Sequence, residues 1–213
     1  VWFDIVVEGR SAHGSRPDLG VDAIVKAGKL LSALEVEAMR LRDGRSDPVV
    51  GPGSVHASLI SGGLEMSSYP GECRISIERR TIPGETIGGV EAELDSILAR
   101  LRAEDPEFRA SFSRGLSREP LEISRNAPII AALQSAARIR LGRELGFVGM
   151  TGWTDCALIA AAGIPGCLVG PGGDGAHAAE EWVDIASTEQ LADLLEETIV
   201  GFCGPVADPA VRS

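Results

Sequence analysis

The sequence is poor in aromatic residues and in basic charge. Phe, Trp and Tyr make up 4% of the 213 residues, and the acidic excess gives a net charge of −11. A protein that binds nucleic acid needs a basic surface for the phosphates, and an RNA-binding sheet also needs aromatic side chains on which bases stack. We therefore expect no nucleic acid among the partners.

Long apolar runs and paired cysteine motifs are also missing. No run approaches the roughly 18 apolar residues that span a bilayer, so we expect no membrane partner. The chain opens on VWFDIVVEG without a signal peptide or an initiator Met, which indicates a cytoplasmic protein and a piece of a longer one. Reduced, mostly buried thiols are favoured over a disulfide or metal cluster, because no Cys-x-x-Cys pair occurs. The cysteines are Cys73, Cys156, Cys167 and Cys203.

Residues 1–117 alternate between strand and helix periodicities. Phe3, Ile5 and Val7 predict the inner face of a first strand. Apolar residues three to four apart predict a helix from Asp22 onward, with Ile24 and Leu31 on its apolar stripe. Two strands, a helix opened by Thr86 and a last strand follow. The order β-α-β-β-α-β is that of a ferredoxin-like domain with both helices on one sheet face and the other face open. The three later strands are predicted over GSVHASLISGG, GECRISIERRTIPGE and EFRASFSRG. In the first of these, Val55, Ala57 and Leu59 alternate on one face.

Residues 118–213 alternate helix and strand differently, as a parallel α/β layer does. A helix capped by Asn126 ends at Gly142, and a capping box of Ser187 and Gln190 opens the last helix. FVGM and IPGCLVGPG predict strands on either side of the short helix TDCALIAAAG. Two core strands are too few for a sheet covered on both faces. The fold class is therefore α+β, a ferredoxin-like domain followed by an incomplete α/β portion.

The three histidines differ in their surroundings. His56 lies mid-strand and indicates no special role, whereas His13 lies in the glycine-rich loop GRSAHGSRPDLG, which favours ligand contact. His177 follows GPGGDG and precedes Glu180 and Glu181. It is either a metal ligand with acidic neighbours or part of an ordinary flexible loop, and a single histidine cannot hold zinc.

Two further polar groups have a functional and a structural interpretation. Thr154 and Asp155, in TGWTD, are either an anion or oxyanion cradle at a helix N-terminus or a plain N-cap. Arg80 shares a strand face with Glu78, so it either binds a substrate carboxylate bidentately or pairs with that neighbour.

These stretches, taken in order, resemble the M20 metallopeptidase family of deacetylases, desuccinylases, aminoacylases and carboxypeptidases. The resemblance spans residues 1 to about 202. The matching segments are GRSAHGSRPDLGVDAI, SGGLEMSSYPGECRISIERRTIPGET, TGWTDCALIAAAGIPGCLVGPG and GAHAAEEWVDI.

The resemblance implies a role for each candidate residue. Residues 1–117 would be the lid or dimerisation domain of a homodimer, and 118–213 the C-terminal part of the catalytic domain. His13 would reach the partner's active site and stabilise the tetrahedral intermediate, and His177 would be the last zinc ligand. Arg80 would bind the substrate carboxylate. Thr154 and Asp155 would contact substrate, as would Ser67, which stands where the family usually has Asn.

The resemblance also implies groups that these 213 residues do not contain. The other ligands of a pair of zinc ions, for which cobalt or manganese could substitute, and the general-base glutamate would precede Val1. We therefore expect part of an amidohydrolase that cleaves N-acyl amino acids or peptide-like amides, inactive as this chain alone. The alternative is a non-catalytic dimerisation or small-molecule-binding module.

Overall fold

The computed structural model describes residues 1–176 and 178–204. The chain divides into two compact units, Val1–Pro120 and Leu121–Ser213. The first unit contains six strands and two helices. They are β1 (Trp2–Glu8), α1 (Ala23–Asp43), β2 (Ser46–Asp47), β3 (Gly51–Pro52), β4 (Ser54–Gly62), β5 (Glu72–Arg80), α2 (Ile87–Glu104) and β6 (Arg109–Arg114).

The first unit confirms the predicted ferredoxin-like fold. Its main sheet has the order β4-β5-β1-β6, and every neighbouring pair is antiparallel. β1 and β5 are central and pair from Trp2 opposite Glu78 to Glu8 opposite Glu72. The strands β2 and β3 form a separate small hairpin.

One core lies between the inner sheet face and the two helices. Phe3, Ile5 and Val7 are buried as predicted, and Ile75 of β5 lies beside them. Trp2 on the opposite face is half exposed, as expected for an open face. The helices contribute Ala23, Ala27, Leu30, Ala33, Leu34, Leu41, Val90, Leu94, Ile97, Leu98 and Leu101.

Two details of the first unit differ from the sequence prediction. In α1 the buried stripe runs through Leu30 rather than Leu31, while Ile24 is exposed. In β4 only Val55 is buried, because a bulge between Ala57 and Leu59 interrupts the alternation. A bulge places two residues opposite one, so the predicted inward direction of Leu59 is lost.

Side-chain caps fix the starts of both helices. The Asp22 carboxylate accepts the Val25 N–H at 3.0 Å, and the Thr86 hydroxyl accepts the Gly89 N–H at 3.1 Å. Each such cap is worth about 1 kcal/mol. The prediction that Thr86 opens the second helix is confirmed.

Within its described residues, the second unit contains three helices and one small hairpin. Leu133, Ala136 and Ala137 of the first helix pack on Leu194 of the last. The elements are α3 (Pro128–Leu141), α4 (Cys156–Ala161), β7 (Gly173–Asp174), β8 (Trp182–Val183) and α5 (Ile185–Cys203).

Both predicted core strands of this unit are wrong. Residues 147–150 and 164–172 form no strand, and Val148 is 90% exposed. A strand requires a hydrogen-bonded neighbour, and among the described residues of this unit the pairing is that of β7 with β8. Neither segment therefore acquires strand geometry here.

The predicted caps of α3 and α5 are each misplaced. Pro128 occupies the first turn of α3 and Ala127 is the N-cap, so Asn126 lies too early to cap. Asp184 is the N-cap of α5 and accepts the Ser187 N–H at 2.7 Å. Ser187 is thus already inside the helix.

Candidate functional site

Two loops beside the main sheet hold His13 and Ser67 together. We call residues 9–21, after β1, and 63–71, before β5, the paired loops. The Gly14 N–H donates to the Ser67 carbonyl at 2.7 Å, and the Tyr69 N–H donates to the Ala12 carbonyl at 2.8 Å. His13 and Ser68 form an antiparallel bridge between them. The structure therefore places two of the predicted site residues, His13 and Ser67, on adjoining backbone segments.

Gly20 allows a close contact within the paired loops. A Cβ atom at Gly20 would lie 2.4 Å from the Tyr69 ring, much closer than two carbon atoms can approach. The ring therefore packs directly on the backbone of the neighbouring loop, and a larger residue at this position would push the loops apart.

The His13 ring is exposed, but one edge of it is held by Ser15. The Ser15 N–H lies 3.2 Å from His13 Nδ1, and the Ser15 hydroxyl oxygen lies 2.9 Å from the same nitrogen. The backbone is held as well, because the Arg16 N–H donates to the His13 carbonyl at 2.8 Å. The ring therefore presents Nε2 outward.

The cation three residues after His13, Arg16, is already paired. Arg16 donates to both carboxylate oxygens of Asp18, at 3.0 and 2.8 Å. The hydrogen bond from Arg16 lowers the pKa of Asp18 below its ordinary value. Both side chains are more than half exposed, so the pair adds little stability.

Ser67 and Ser68 share an acidic neighbour that the sequence did not single out. The Ser68 hydroxyl donates to Glu65 at 2.5 Å. The hydrogen bonds from Ser68 and then Ser67 lower the pKa of Glu65. A carboxylate therefore orients both hydroxyls close to the bridge at His13.

Arg80 lies on the open sheet face within a different cluster. Its Nη2 atom lies 3.2 Å from Glu78 Oε1, which is the pairing that the structural interpretation predicted. Trp2 Nε1 donates to the same carboxylate at 3.3 Å, and His56 Nε2 lies 3.6 Å from Oε2. Burial raises the pKa of Glu78, but the hydrogen bond from Trp2 and the charge of Arg80 lower it below its ordinary value.

His13 and Arg80 are not brought together within one chain. Arg80 ends β5, whereas the paired loops adjoin its first residue, Glu72. Eight steps of about 3.3 Å along a strand separate Glu72 and Arg80 by about 26 Å. Both side chains together cannot bridge that distance.

The remaining candidates belong to the second unit. Thr154 is partly buried and Asp155 is exposed at the start of α4, where its side chain makes no capping hydrogen bond. His177 lies outside the described residues. Across residues 1–176 and 178–204, no group of three or more His, Cys, Asp or Glu side chains could hold a metal ion. The four cysteines are free thiols, with Cys73 buried and Cys203 exposed.

Ser15 and Glu65 are the contacts that sequence reasoning missed. A serine two residues after a histidine is a recognisable signal, because its N–H and hydroxyl can reach the ring. Glu65 carried no comparable signal, since its contacts depend on how the loop folds.

The first half of the chain matches a known domain family. Residues 1–106 match the M20 family described as a peptidase dimerisation domain. No described helix is both long enough and apolar enough to cross a membrane.

Relatives extend the similarity to nearly the whole chain. The acetylornithine deacetylase of Myxococcus xanthus is 27% identical over 207 residues, which are 94% of this chain and 52% of the relative. A succinyl-diaminopimelate desuccinylase of Marinobacter nauticus is 24% identical over 196 residues, which are 92% of this chain and 50% of the relative. The chain thus spans about half the length of the curated relatives it matches.

Solved structures share the fold. A tripeptidase of Staphylococcus aureus superposes with a TM-score of 0.72 at 23% identity, over 93% of this chain and 50% of that one. The aminopeptidase PepT of Bacillus cereus gives 0.72 at 20% identity, over 95% and 51%.

Proposed function

Because the chain belongs to the M20 peptidase family, we propose that it is part of an enzyme that hydrolyses an amide bond in an N-acyl amino acid or a peptide-like substrate. Residues 1–117 supply the lid and dimerisation domain, and residues 118–213 supply the C-terminal part of the catalytic domain. The similarity to a deacetylase and a desuccinylase over more than nine tenths of this chain supports this assignment.

The pairing of the His13 loop with the loop that contains Ser67 carries the proposal. Two loops, separated by about fifty residues of sequence, are joined by three backbone hydrogen bonds, at Gly9, Gly14 and Tyr69. They present the exposed imidazole of His13 at the bridge between the two loops, opposite Ser68. A hydrogen-bond donor held on a firm backbone suits a developing oxyanion, since a preorganised donor needs no rearrangement during the reaction. His13 would act on substrate in the partner's site, with Ser67 beside it.

The described residues do not by themselves provide a site for the proposed catalytic metal. They contain no suitable group of ligands, and the predicted ligand His177 lies outside them. We propose a pair of zinc ions, with cobalt or manganese as substitutes, held by His177 together with ligands that these 213 residues do not contain. This chain alone should then be inactive.

Metal content and hydrolysis by the purified chain test that proposal. After exposure to stoichiometric zinc and removal of excess, we expect little bound metal and no hydrolysis of N-acetyl amino acids above background. Tight binding of a pair of zinc ions per chain, or hydrolysis at ordinary enzyme rates, would show that the ligands have been misjudged.

A chimera supplies the positive test. The N-terminal half of the Myxococcus xanthus deacetylase, fused before Val1, should bind zinc and hydrolyse N-acetylornithine. His177→Ala should lose metal, whereas the matched control His56→Ala should keep it. Equal metal content in the two variants would refute the ligand role. A chimera that dimerises without binding metal would favour the alternative, a non-catalytic dimerisation or small-molecule-binding module.

The proposed partner is a second copy of this chain. β4 is an edge of the main sheet, and its side chains Leu59 and Ile60 are largely exposed. An exposed apolar edge strand is a template for pairing with another strand. The residues matched to the dimerisation family contain this strand.

We propose that Thr154, Asp155 and Arg80 contact the substrate. We also propose a cytoplasmic location.

A second apolar surface fits the same proposal. Many large apolar side chains of the second unit are exposed, among them Val148, Ile164 and Ile185. Soluble proteins rarely leave contiguous apolar patches uncovered. We propose that the missing part of the catalytic domain covers these residues in the whole enzyme.

A further inference from the structure

We propose that Ser15 is a positioning residue that holds neutral His13 as the tautomer with its hydrogen on Nε2. The outward nitrogen is then an N–H donor and has no lone pair to offer. The role of His13 in hydrolysis rests on the proposed function, whereas the tautomer rests only on the contacts between these two residues.

The donor chemistry of Ser15 decides the tautomer. The Ser15 backbone N–H lies 3.2 Å from His13 Nδ1 and can only donate. Nδ1 must therefore accept, and an accepting ring nitrogen carries no hydrogen. The Ser15 hydroxyl, 2.9 Å from the same nitrogen, can donate as well. In a neutral ring the one remaining hydrogen must then lie on Nε2.

The backbone around the ring preserves this arrangement. The residues on either side of His13 are fixed to the other paired loop, through Ala12 to Tyr69 and through Gly14 to Ser67. The His13 carbonyl accepts the Arg16 N–H, which closes a tight turn around Ser15. The donor and the ring therefore belong to one hydrogen-bonded turn.

The charged groups of the paired loops already have partners. Arg16 is bound to Asp18, Glu65 accepts from Ser68, and Arg10 donates to the Leu19 carbonyl. None of these contacts competes with Ser15 for Nδ1.

The assigned tautomer restricts the chemistry of His13. An Nε2–H group can donate to a carbonyl oxygen or to an oxyanion, but it can neither take a proton nor bind a metal ion through that nitrogen. His13 thus acts as a neutral hydrogen-bond donor. A general base would need the opposite tautomer, with the lone pair on Nε2.

Nitrogen NMR on this chain, labelled with ¹⁵N-histidine, tests the tautomer directly. At a pH of about 9, where an imidazole is neutral, long-range proton–nitrogen spectra show which ring nitrogen carries hydrogen. A His13→Gln variant identifies the signals. We expect the ratio of Nε2–H to Nδ1–H tautomers to be about fivefold higher in the folded chain than in the same chain unfolded in urea.

Two variants separate the donors of Ser15. Ser15→Ala keeps the backbone N–H and should keep most of the excess of the Nε2–H tautomer. Ser15→Pro removes this N–H, so the tautomer ratio in its folded chain should equal that of the unfolded chain. Hydrogen on Nδ1, or equal ratios in the folded and unfolded wild-type chain, would overturn the proposal. So would an unchanged ratio in folded Ser15→Pro. If that variant does not fold, the wild-type comparison still decides.

The outcome is independent of the proposed function. A chimera that fails to hydrolyse amides would refute the role of His13 in catalysis but leave its tautomer unchanged. The opposite tautomer in an active chimera would refute the positioning role alone.

Discussion

Replacing Glu85 by Gln should destabilise the first unit more than replacing Arg79 by Met. Arg79 is 2% exposed and lies on the inner side of β5. Its guanidinium donates to both oxygens of Glu85, at 3.2 and 2.7 Å, and Glu93 lies 3.5 Å away. The Nε atom of Arg79 is buried and has no hydrogen-bond partner among the described residues.

The expected asymmetry follows from burial. Glu85→Gln leaves a buried guanidinium whose only remaining carboxylate partner among the described residues is the more distant Glu93. Arg79→Met instead leaves two carboxylates that are 17% and 34% exposed and can take up water. Breaking a buried ion pair costs about 3–5 kcal/mol. Because Glu93 remains and Glu85 is partly exposed, we expect a loss of about 2 kcal/mol for Glu85→Gln and about half that for Arg79→Met.

Urea unfolding measures the difference. Trp2 lies in β1, so its fluorescence reports on the first unit once Trp153 and Trp182 are replaced by Phe. A loss of about 2 kcal/mol moves the midpoint by about 1 M urea for a unit of this size. Glu72→Gln is the control, since Glu72 pairs with Arg74 on the open face and both are exposed.

A double variant completes the test. Arg79→Met combined with Glu85→Gln should be more stable than Glu85→Gln alone, because the uncompensated charge has been removed. The predicted asymmetry is wrong if Arg79→Met proves at least as destabilising as Glu85→Gln, or if the double variant is the least stable of the three.

Acid stability and dimerisation give two further predictions. Hydrogen bonds from Lys26 and then Lys29 lower the pKa of Asp105, so its contribution is complete above the unfolded pKa of about 3.9 and is lost as the pH falls towards the lower folded value. We therefore expect the stability of Asp105→Asn to fall less steeply below about pH 4 than that of the wild-type chain, in acid titrations followed by circular dichroism. An equally steep fall in both proteins would contradict this. Ile60→Lys on the edge strand β4 should convert a dimer into a monomer by light scattering, while Leu116→Lys, also exposed but outside β4, should not; a persistent dimer would exclude this edge.

The alternation of apolar residues predicts burial best in a strand that has a neighbouring strand on each side and one face in the core. Phe3, Ile5 and Val7 alternate because β1 is central, with one face in the core and a strand on each side. β4 is an edge strand with a bulge, and its apolar residues remain exposed, so alternation misjudged Leu59. Segments 147–150 and 164–172 are apolar enough for strands, but no described strand pairs with them.

The candidate site was predictable in its residue types and not in its arrangement. The glycine-rich loop singled out His13, but the pairing of this loop with the segment of Ser67 and Ser68 depends on hydrogen bonds between residues far apart in sequence. The resemblance implied that Arg80 and His13 both act on the substrate. Only the strand register shows that Arg80 lies at the other end of the sheet.

The separation of His13 from Arg80 determines which subunits contribute to each active site. If His13 and Arg80 act on one small amide, the roughly 26 Å between the ends of β5 requires that they come from different copies of the chain. A dimer would then contain two composite centres, each using His13 from one subunit and Arg80 from the other. A mixed dimer of one copy without His13 and one without Arg80 would concentrate both defects in one centre and leave the other intact, so two inactive proteins would complement each other.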